Sequence, residues 1–600
     1  MPAPTKPTVA DQLLDYLVLE DAKVMFGVPG AGIMHLLKRI HDRSEFKYII
    51  TRHESGAAYM ADGYYRATGK PGVVLVTSGP GATNALTGTM NAEFDGSAVL
   101  TLTGEVPEQF LGRGYLQEGT DCGLNVRDIY AAATRYSADI ADASSVPILV
   151  EQALRTMLSI PRRAVHLSIA DNVAAADART DLYVTARPPK QRGAYRCLPA
   201  GAPQQGVQRA LEALSSAKRP LIMLGNGCWE PLRDAATAQA LRHLVESWNI
   251  PVMTTTDGKG VFPETHPLSL RVYGFAGCTW PQYWMVDPAT KSAAHDALLV
   301  IGSSLGELAT YKWNPMLAPK KDTPFIQVDL DQSVIGRGFQ VTDGIVAEAG
   351  AFIRALWEHA SAFRPDPAAV TARGSEIAAI KETHSPVVPA LPVQTPGTLH
   401  PAALCQLLNK HLLQNEEFPD AMVFIDSGNC VGWSMHYMVV PEGREMHSAL
   451  AMGPMGFAVC AVVGARYGRP DRLCVALVGD GALLMHLGEI STAAQNQIGA
   501  IWVVLNDNDL NMVTQGMNKF LSDPVPFAYP LGKPDLRKVA EGLGAAAYDV
   551  AKPDDFAPAW NAARAGAAGG KPQVVVVHVD PAAAPPYWDP PYWLMTATAD

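Results

Sequence analysis

The sequence predicts an α/β protein made of three consecutive domains, each a parallel sheet flanked by helices. Three observations predict it. Short β-branched runs alternate with longer helical stretches, two Pro- and Ala-rich segments interrupt that alternation, and 600 residues exceed what a single core can serve. The runs are 72–77, 98–103, 220–224, 297–301, 324–328, 473–478, 500–505 and 573–579. Continuous apolar runs separated by helix-length segments mark strands covered on both faces, which is the condition of a parallel sheet. The interruptions, 177–203 and 363–398, lack apolar periodicity and read as linkers. They leave units at 1–185, 200–365 and 395–580, with a tail at 581–600. In the tail Pro585-Pro586-Tyr587-Trp588 recurs as Pro590-Pro591-Tyr592-Trp593, a semi-rigid aromatic pattern that reads as a lid in search of a surface.

Composition narrows the function. With 48% hydrophobic and 18% charged residues and a formal charge of −11, the chain is a globular protein with no electrostatic case for a nucleic-acid partner. Its eight cysteines show no CxxC pair or disulfide framework and read as free thiols of a reducing compartment. No run reaches membrane-spanning length and the first residues lack the apolar core of a signal peptide, so a cytoplasmic enzyme without a membrane partner is expected.

In the third unit the run 473–478 enters Gly479-Asp480-Gly481-Ala482, and the run 500–505 ends in Asn506-Asp507-Asn508-Asp509. Glycines at a strand end let backbone N–H groups approach phosphate oxygens, and a carboxylate among them can hold a hard cation there. If the two strands are adjacent and parallel, both acidic ends meet at the carboxyl edge of one sheet, where α/β proteins bind ligands. In the first unit, Glu54 follows Tyr48-Ile49-Ile50 and opens a helix of small residues, and Thr77-Ser78-Gly79-Pro80-Gly81-Ala82-Thr83-Asn84 forms a glycine-rich turn after the next strand. An earlier turn, Phe26-Gly27-Val28-Pro29-Gly30, is of the same kind.

These segments resemble the thiamine-diphosphate enzymes, in particular the acetohydroxyacid (acetolactate) synthase group, whose signature is a Gly-Asp-Gly followed some way on by an Asn pair. The resemblance implies a pyrimidine-binding first domain, a middle domain and a diphosphate-binding third domain. It implies Mg²⁺ on the side chains of Asp480 and Asp507 and on the backbone carbonyl of Asp509. Gly479, Gly481, Ala482, Asn429, Cys430 and Met512 would line the cofactor from the third domain. Met455 would support its bent shape, and the Gly453 carbonyl would accept from its amino group. From the first domain, Pro29, Gly30, Gly79, Pro80 and Asn84 would contact it, and Glu54 would activate it through the aminopyrimidine, whose imino form removes the thiazolium C2 proton. Gln117, in Leu116-Gln117-Glu118, would touch a substrate carbonyl or hydroxyl. Because the two domains meet across a subunit boundary in the group, a homodimer or homotetramer is implied.

The chain departs from the group at several points. Asp507 stands where the second Asn is usual, which adds a charge and bears on metal preference. Gly516 stands where acetohydroxyacid synthases place a tryptophan, and their active-site lysine has no counterpart in Ile169-Ala170-Asp171-Asn172-Val173. In the middle unit Leu221 to Gly227 is a strand followed by Gly-x-Gly, a common pattern that carries FAD only weakly, and the unit reads as chiefly structural. The reaction implied is decarboxylation of a 2-oxo acid to an enamine, then ligation to a second carbonyl or protonation. Alternatives are a 2-hydroxyacyl-CoA or oxalyl-CoA lyase, whose thioester the aromatic tail would cover, a flavin-dependent 2-oxo acid oxidase, and a non-enzymatic regulatory relative.

Overall fold

Three six-stranded, fully parallel sheets carry the chain. The computed structural model describes residues 6–121, 124–179, 189–196, 201–523 and 529–586. The first sheet holds β1 (Val24–Gly27), β2 (Lys47–Ile50), β3 (Gly72–Val76), β4 (Val99–Glu105), β5 (Tyr136–Ile140) and β6 (Ala164–Ala170), in the order β2-β1-β3-β4-β6-β5. The second holds β7 (Pro220–Leu224), β8 (Val252–Thr254), β9 (Ser269–Val272), β10 (Ala297–Ile301), β11 (Phe325–Asp329) and β12 (Asp343–Val346), ordered β9-β8-β7-β10-β11-β12. The third holds β13 (Met422–Ile425), β14 (Glu445–Ser448), β15 (Cys474–Gly479), β16 (Ile501–Asn506), β17 (Ala546–Val550) and β18 (Gln573–His578), ordered β14-β13-β15-β16-β18-β17.

The first and third sheets therefore share one strand order, whereas the second has the doubly wound order of dinucleotide-binding folds. All eight apolar runs in the sequence are strands, because a strand buried on both faces needs no polar alternation. The segment 363–398 is not a bare linker. It contains a helix, Pro367–Thr383, capped by the Asp366 side chain with Pro at its first position, and it buries Arg373, Ile377 and Ile380. With so few apolar residues turned inward, the helix leaves little periodicity in the sequence. Of the other expected linker, 180–188 and 197–200 lie outside the described residues, as do Cys122, Cys197 and the tail from Tyr587 onward. The six described cysteines are free and buried. Among the described residues no helix is long and apolar enough to cross a membrane.

The first and third sheets are joined by one helix pair. Glu54–Thr68 lies against Phe457–Gly468, and a single core runs from Phe26, Val74 and Val99 of the first sheet to Phe424, Val478 and Trp502 of the third. Glycines set the spacing. A Cβ on Gly464 would stand 1.9 Å from the Met60 carbonyl oxygen, and one on Gly63 would stand 2.1 Å from that of Ala461. The two backbones touch with no side chain between them, so added volume can be met only by moving a helix. Gly464→Ala is expected to lower stability by about 1–3 kcal/mol, read as a lower melting temperature. Gly542→Ala, at a helix end with open space around it, should be neutral or slightly stabilising, and equal effects of the two would refute the close contact.

Candidate active site

The residues expected to act fall into two groups, one at the carboxyl edge of each of the first and third sheets. On the first sheet, β2 ends at Ile50 and Glu54 opens the following helix behind the His53 cap. Glu54 is buried, and the Asn84 amide donates to its Oε2 at 3.1 Å. Asn84 lies on the helix Pro80–Phe94, which begins directly after Gly79. Gly79 has φ +54°, and a Cβ there would meet the Gln117 carbonyl oxygen at 2.8 Å, so only glycine allows the Gln117 loop to close on this turn. That loop is fastened from below. Buried Glu105 accepts from the N–H groups of Val106 and Gly119, and buried Glu118 accepts from those of Gly112 and Tyr115.

Thr77, at the end of β3, is the hub of this group and was not singled out from the sequence. A Cβ on Gly30 would meet its side chain at 2.5 Å, a Cβ on Gly81 would meet it at 2.9 Å, and its hydroxyl accepts from the Gly32 N–H at 3.3 Å. Glu54, Pro29-Gly30, Gly79-Pro80, Asn84 and Gln117 are thus one neighbourhood built on β1, β2 and β3.

The third-sheet residues surround a cavity of about 270 Å³. All eleven expected from the sequence line it: Asn429 and Cys430, Gly453 and Met455, Gly479, Asp480, Gly481 and Ala482, and Asp507, Asp509 and Met512. The reason is the pairing of β15 with β16, which sets Gly479 beside Leu505 and brings the two acidic strand ends together. Asp480 Oδ2 accepts from the backbone N–H groups of Asn508 at 2.6 Å and Asp507 at 3.2 Å, and its Oδ1 from that of Gly481 at 2.7 Å. Asp507 accepts from the Asn511 amide at 2.8 Å. Asp509 Oδ2 accepts from the Thr514 hydroxyl at 2.9 Å, and its Oδ1 is buried with no partner among the described residues.

The donor set is hard oxygen, short of positive charge, and so fits a hard divalent cation. Burial pushes the Asp480 carboxyl up to about 6, and burial together with the Asp480 charge pushes Asp507 up to about 7. Among the described residues no three His, Cys, Asp or Glu side chains are arranged to hold a metal by themselves, so a cation here would draw further oxygens from backbone carbonyls, water or a bound anion. The cavity leaves room for one. A Cβ on Gly428, Gly453 or Gly479 would meet nothing within 4 Å, and Gly428 and Gly453 have φ of +103° and +71°. Met455 packs close to Gly481, its methyl 3.3 Å from where a Cβ would be.

Asp426, just past β13, is a second residue that sequence reasoning missed. It is fully buried and accepts from the N–H groups of Ser427, Gly456 and Ala458 at 2.8 to 2.9 Å, so one carboxyl ties the Gly428 turn to the Met455 turn. Its only trace in the sequence is an Asp-Ser-Gly directly after an apolar run. The start of the tail reaches the same rim: Asn511 donates to the Pro581 carbonyl at 2.8 Å, Gln515 to that of Ala583 at 2.9 Å, and Ala583 lines the cavity.

A second cavity, about 540 Å³, opens at the carboxyl edge of the middle sheet between β7 and β10, where the strand order reverses. Gly225 and Gly302 nearly touch at its floor, a Cβ on the first lying 2.2 Å from the carbonyl oxygen of the second. Each arginine in its lining is engaged by a carboxylate: Arg66 by Asp62 and Asp95, Arg162 by Glu230, Arg163 by Asp331, Arg233 by Glu445 and Arg354 by Asp234. Asp257 Oδ1 is buried there with no partner among the described residues, and burial with the nearby Asp95 charge pushes this carboxyl up to about 7.

The raised carboxyls of the third-sheet cavity give the metal-free protein a definite pH response. Between the ordinary 3.8 and about 7 the folded chain holds more protons on Asp480 and Asp507 than the unfolded chain does. Their contribution is therefore present at low pH and lost as pH rises through that window. Asp507→Asn removes one of the crowded charges. Metal-free Asp507→Asn is expected to melt roughly 2–4 °C above the wild type at pH 8, with the gap closing toward pH 5. A gap independent of pH would contradict the charge crowding.

Comparison with known proteins agrees with this geometry. Residues 7–124 match the family described as "Thiamine pyrophosphate enzyme, N-terminal TPP binding domain", residues 207–356 its central domain and residues 426–579 its C-terminal TPP binding domain. The chain is 30% identical over 538 residues to a putative acetolactate synthase large subunit, IlvB2, of Mycobacterium tuberculosis, covering 90% of this chain and 92% of that one. It is 27% identical over 583 residues to a probable acetolactate synthase large subunit of Methanocaldococcus jannaschii, covering 97% and 93%. It is 28% identical over 569 residues to the acetolactate synthase large subunit of Corynebacterium glutamicum, covering 94% and 85%. With the three domain families matched in order along its length, the chain belongs to the thiamine pyrophosphate (thiamine diphosphate) enzymes, in their acetolactate synthase-like group.

Proposed function

We propose that this protein is a carboligase or decarboxylating lyase of acetolactate synthase type, acting on a 2-oxo acid with thiamine diphosphate and Mg²⁺ held between two subunits. The observation that carries the reading is one cavity in which Asp480, Asp507 and Asp509 face glycines that leave open space. Asp480 and Asp507 would offer side-chain oxygens to Mg²⁺ and Asp509 its backbone carbonyl, with Asn429, Cys430, Gly479, Gly481 and Ala482 toward the diphosphate. Met455 and Met512 would pack against the cofactor, and the Gly453 carbonyl would accept from its amino group. When bound, thiamine diphosphate supplies the carbon that adds to the substrate carbonyl and takes up the electrons released with CO₂.

Glu54 holds a proton at the pyrimidine ring nitrogen, and the Asn84 amide fixes its carboxyl. Gln117, whose backbone closes against Gly79, would contact a substrate carbonyl or hydroxyl. Pro29, Gly30 and Pro80 shape the wall around the pyrimidine. Chain segments 1–185, 200–365 and 395–580 act as the pyrimidine-binding, middle and diphosphate-binding domains. What supports a site shared between subunits is that, among the described residues, none from the first sheet lines the third-sheet cavity. The active species is a homodimer, or a homotetramer made of two such dimers, in the cytoplasm. Among the described residues, each arginine lining the 540 Å³ cavity of the middle domain already has a carboxylate partner, which supports a chiefly structural role for that domain.

Glu54→Gln is expected to slow exchange of the thiazolium C2 proton about 10²-fold or more while leaving cofactor affinity within a few-fold. Equal exchange rates would remove Glu54 from this role. Asp480→Ala should abolish Mg²⁺-dependent retention of thiamine diphosphate on gel filtration, and undiminished retention would put the metal elsewhere. Product analysis with a panel of 2-oxo acids, aldehydes and acyl-CoA thioesters separates carboligation from thioester cleavage. Turnover of thioesters alone would overturn the 2-oxo acid reading.

A further inference from the structure

Among the buried carboxylates that the chemistry above does not use, one reaches from the third-sheet unit to the turn just before Glu54. Glu489 begins the helix Glu489–Gln495, nine residues after Asp480, and is 1% exposed. Its contacts run into the first-sheet unit. Oε1 accepts from the backbone N–H groups of Arg52 at 3.1 Å and His53 at 3.0 Å; Oε2 accepts from Arg52 N–H at 3.2 Å and from the Thr492 hydroxyl at 2.7 Å. A Cβ on Gly56 would lie 2.4 Å from Oε1, so the glycine on the Glu54 helix is what lets the carboxylate approach.

The surroundings reinforce the clamp. The Arg52 guanidinium donates to the Ser491 hydroxyl at 2.9 Å and to the Gln495 amide oxygen at 2.7 Å. The His486 ring meets the edges of His53 and Tyr59, with centroids 6.1 and 5.6 Å apart, and its back rests on Gly456 beside Met455. The two N–H groups that precede Glu54 belong to the turn between β2 and the helix, where neither element can supply an acceptor. A carboxylate from the third-sheet unit supplies it instead, and it does so at the residue next to Glu54.

We infer that Glu489 is the positioning residue for Glu54: it fixes the turn that launches the helix, and with it the height and direction at which the Glu54 carboxyl is presented. The inference rests on the proposed role of Glu54. A displacement of the launching turn by a fraction of an ångström changes the reach of the carboxyl without touching the metal and diphosphate cavity, which Glu489 does not line. Its effect therefore falls on cofactor activation and not on cofactor binding.

The test uses the intact oligomer with thiamine diphosphate and Mg²⁺ and compares Glu489→Ala, Glu489→Gln and Glu54→Gln. Three readouts are taken: C2 proton exchange by quenched NMR, cofactor affinity by calorimetry, and melting temperature. Glu489→Ala should slow exchange about tenfold or more with affinity changed less than about threefold. Glu489→Gln should restore exchange to within about threefold of the wild type, because its amide oxygen can still accept from Arg52 and His53 while its NH₂ meets Thr492. Wild-type exchange in Glu489→Ala overturns the inference. So does a joint loss of exchange and affinity that Glu489→Gln does not repair, since that pattern marks a residue needed only for folding. Wild-type exchange in Glu54→Gln would instead overturn the role of Glu54, a result read independently of Glu489.

Discussion

Contact between two helix backbones organises this molecule. Gly63 and Gly464 let the helix Glu54–Thr68 and the helix Phe457–Gly468 meet without intervening side chains, and through them the first and third sheets share one core. The two sheets have the same strand order, so each presents the carboxyl ends of its strands as a binding edge. On the first edge the structure gathers Glu54, Gly79, Asn84 and Gln117; on the third it gathers three aspartates and a set of open glycines. Within one chain the two units meet through this helix pair and through the Glu489 clamp on Arg52 and His53. Among the described residues, none from the first sheet walls the third-sheet cavity, a geometry that a second copy of the chain would complete.

Electrostatics give the third-sheet edge its character. Backbone N–H groups converge on Asp480 and help keep its charge, but burial and the neighbouring carboxylates work against it. Asp507 feels the same burial plus the Asp480 charge, and Asp509 keeps one buried oxygen without a donor among the described residues. Carboxylates crowded in this way are costly to keep charged, and a bound cation would relieve that cost. An aspartate at 507, where the acetolactate synthase group carries asparagine, sharpens both sides of that balance. Asp426 shows the complementary strategy: a carboxyl also pushed up by burial, to about 6, but satisfied by N–H groups from two turns, it organises the cavity wall from behind.

Local features of the site were legible in the sequence, and long-range ones were not. The strand ends at Gly479 and Asn506, the helix start at Glu54 and the turn at Gly79 are each encoded within a few residues, and all fall where the apolar runs place them. The doubly buried strands were equally plain, while short or partly exposed ones such as β5 and β12 left no continuous run to read. The helix Pro367–Thr383 was hidden because most of its surface faces solvent, although Asp366 and Pro367 do spell a helix start. Thr77, Asp426 and Glu489 were missed for another reason. Thr77 acts on a turn 45 residues away, Asp426 on one 30 residues away and Glu489 on one 437 residues away, and no local pattern carries such partners.

Whether the two binding edges serve the same cofactor across a subunit boundary is decided by subunit mixing. Glu54→Gln and Asp480→Ala homo-oligomers, each inactive, are unfolded together, refolded and assayed. If one site takes Glu54 from one subunit and Asp480 from its partner, every mixed dimer contains one wild-type site, and the mixture regains about a quarter of wild-type activity. If both residues serve a site within one chain, no mixed dimer has an intact site and the mixture stays inactive.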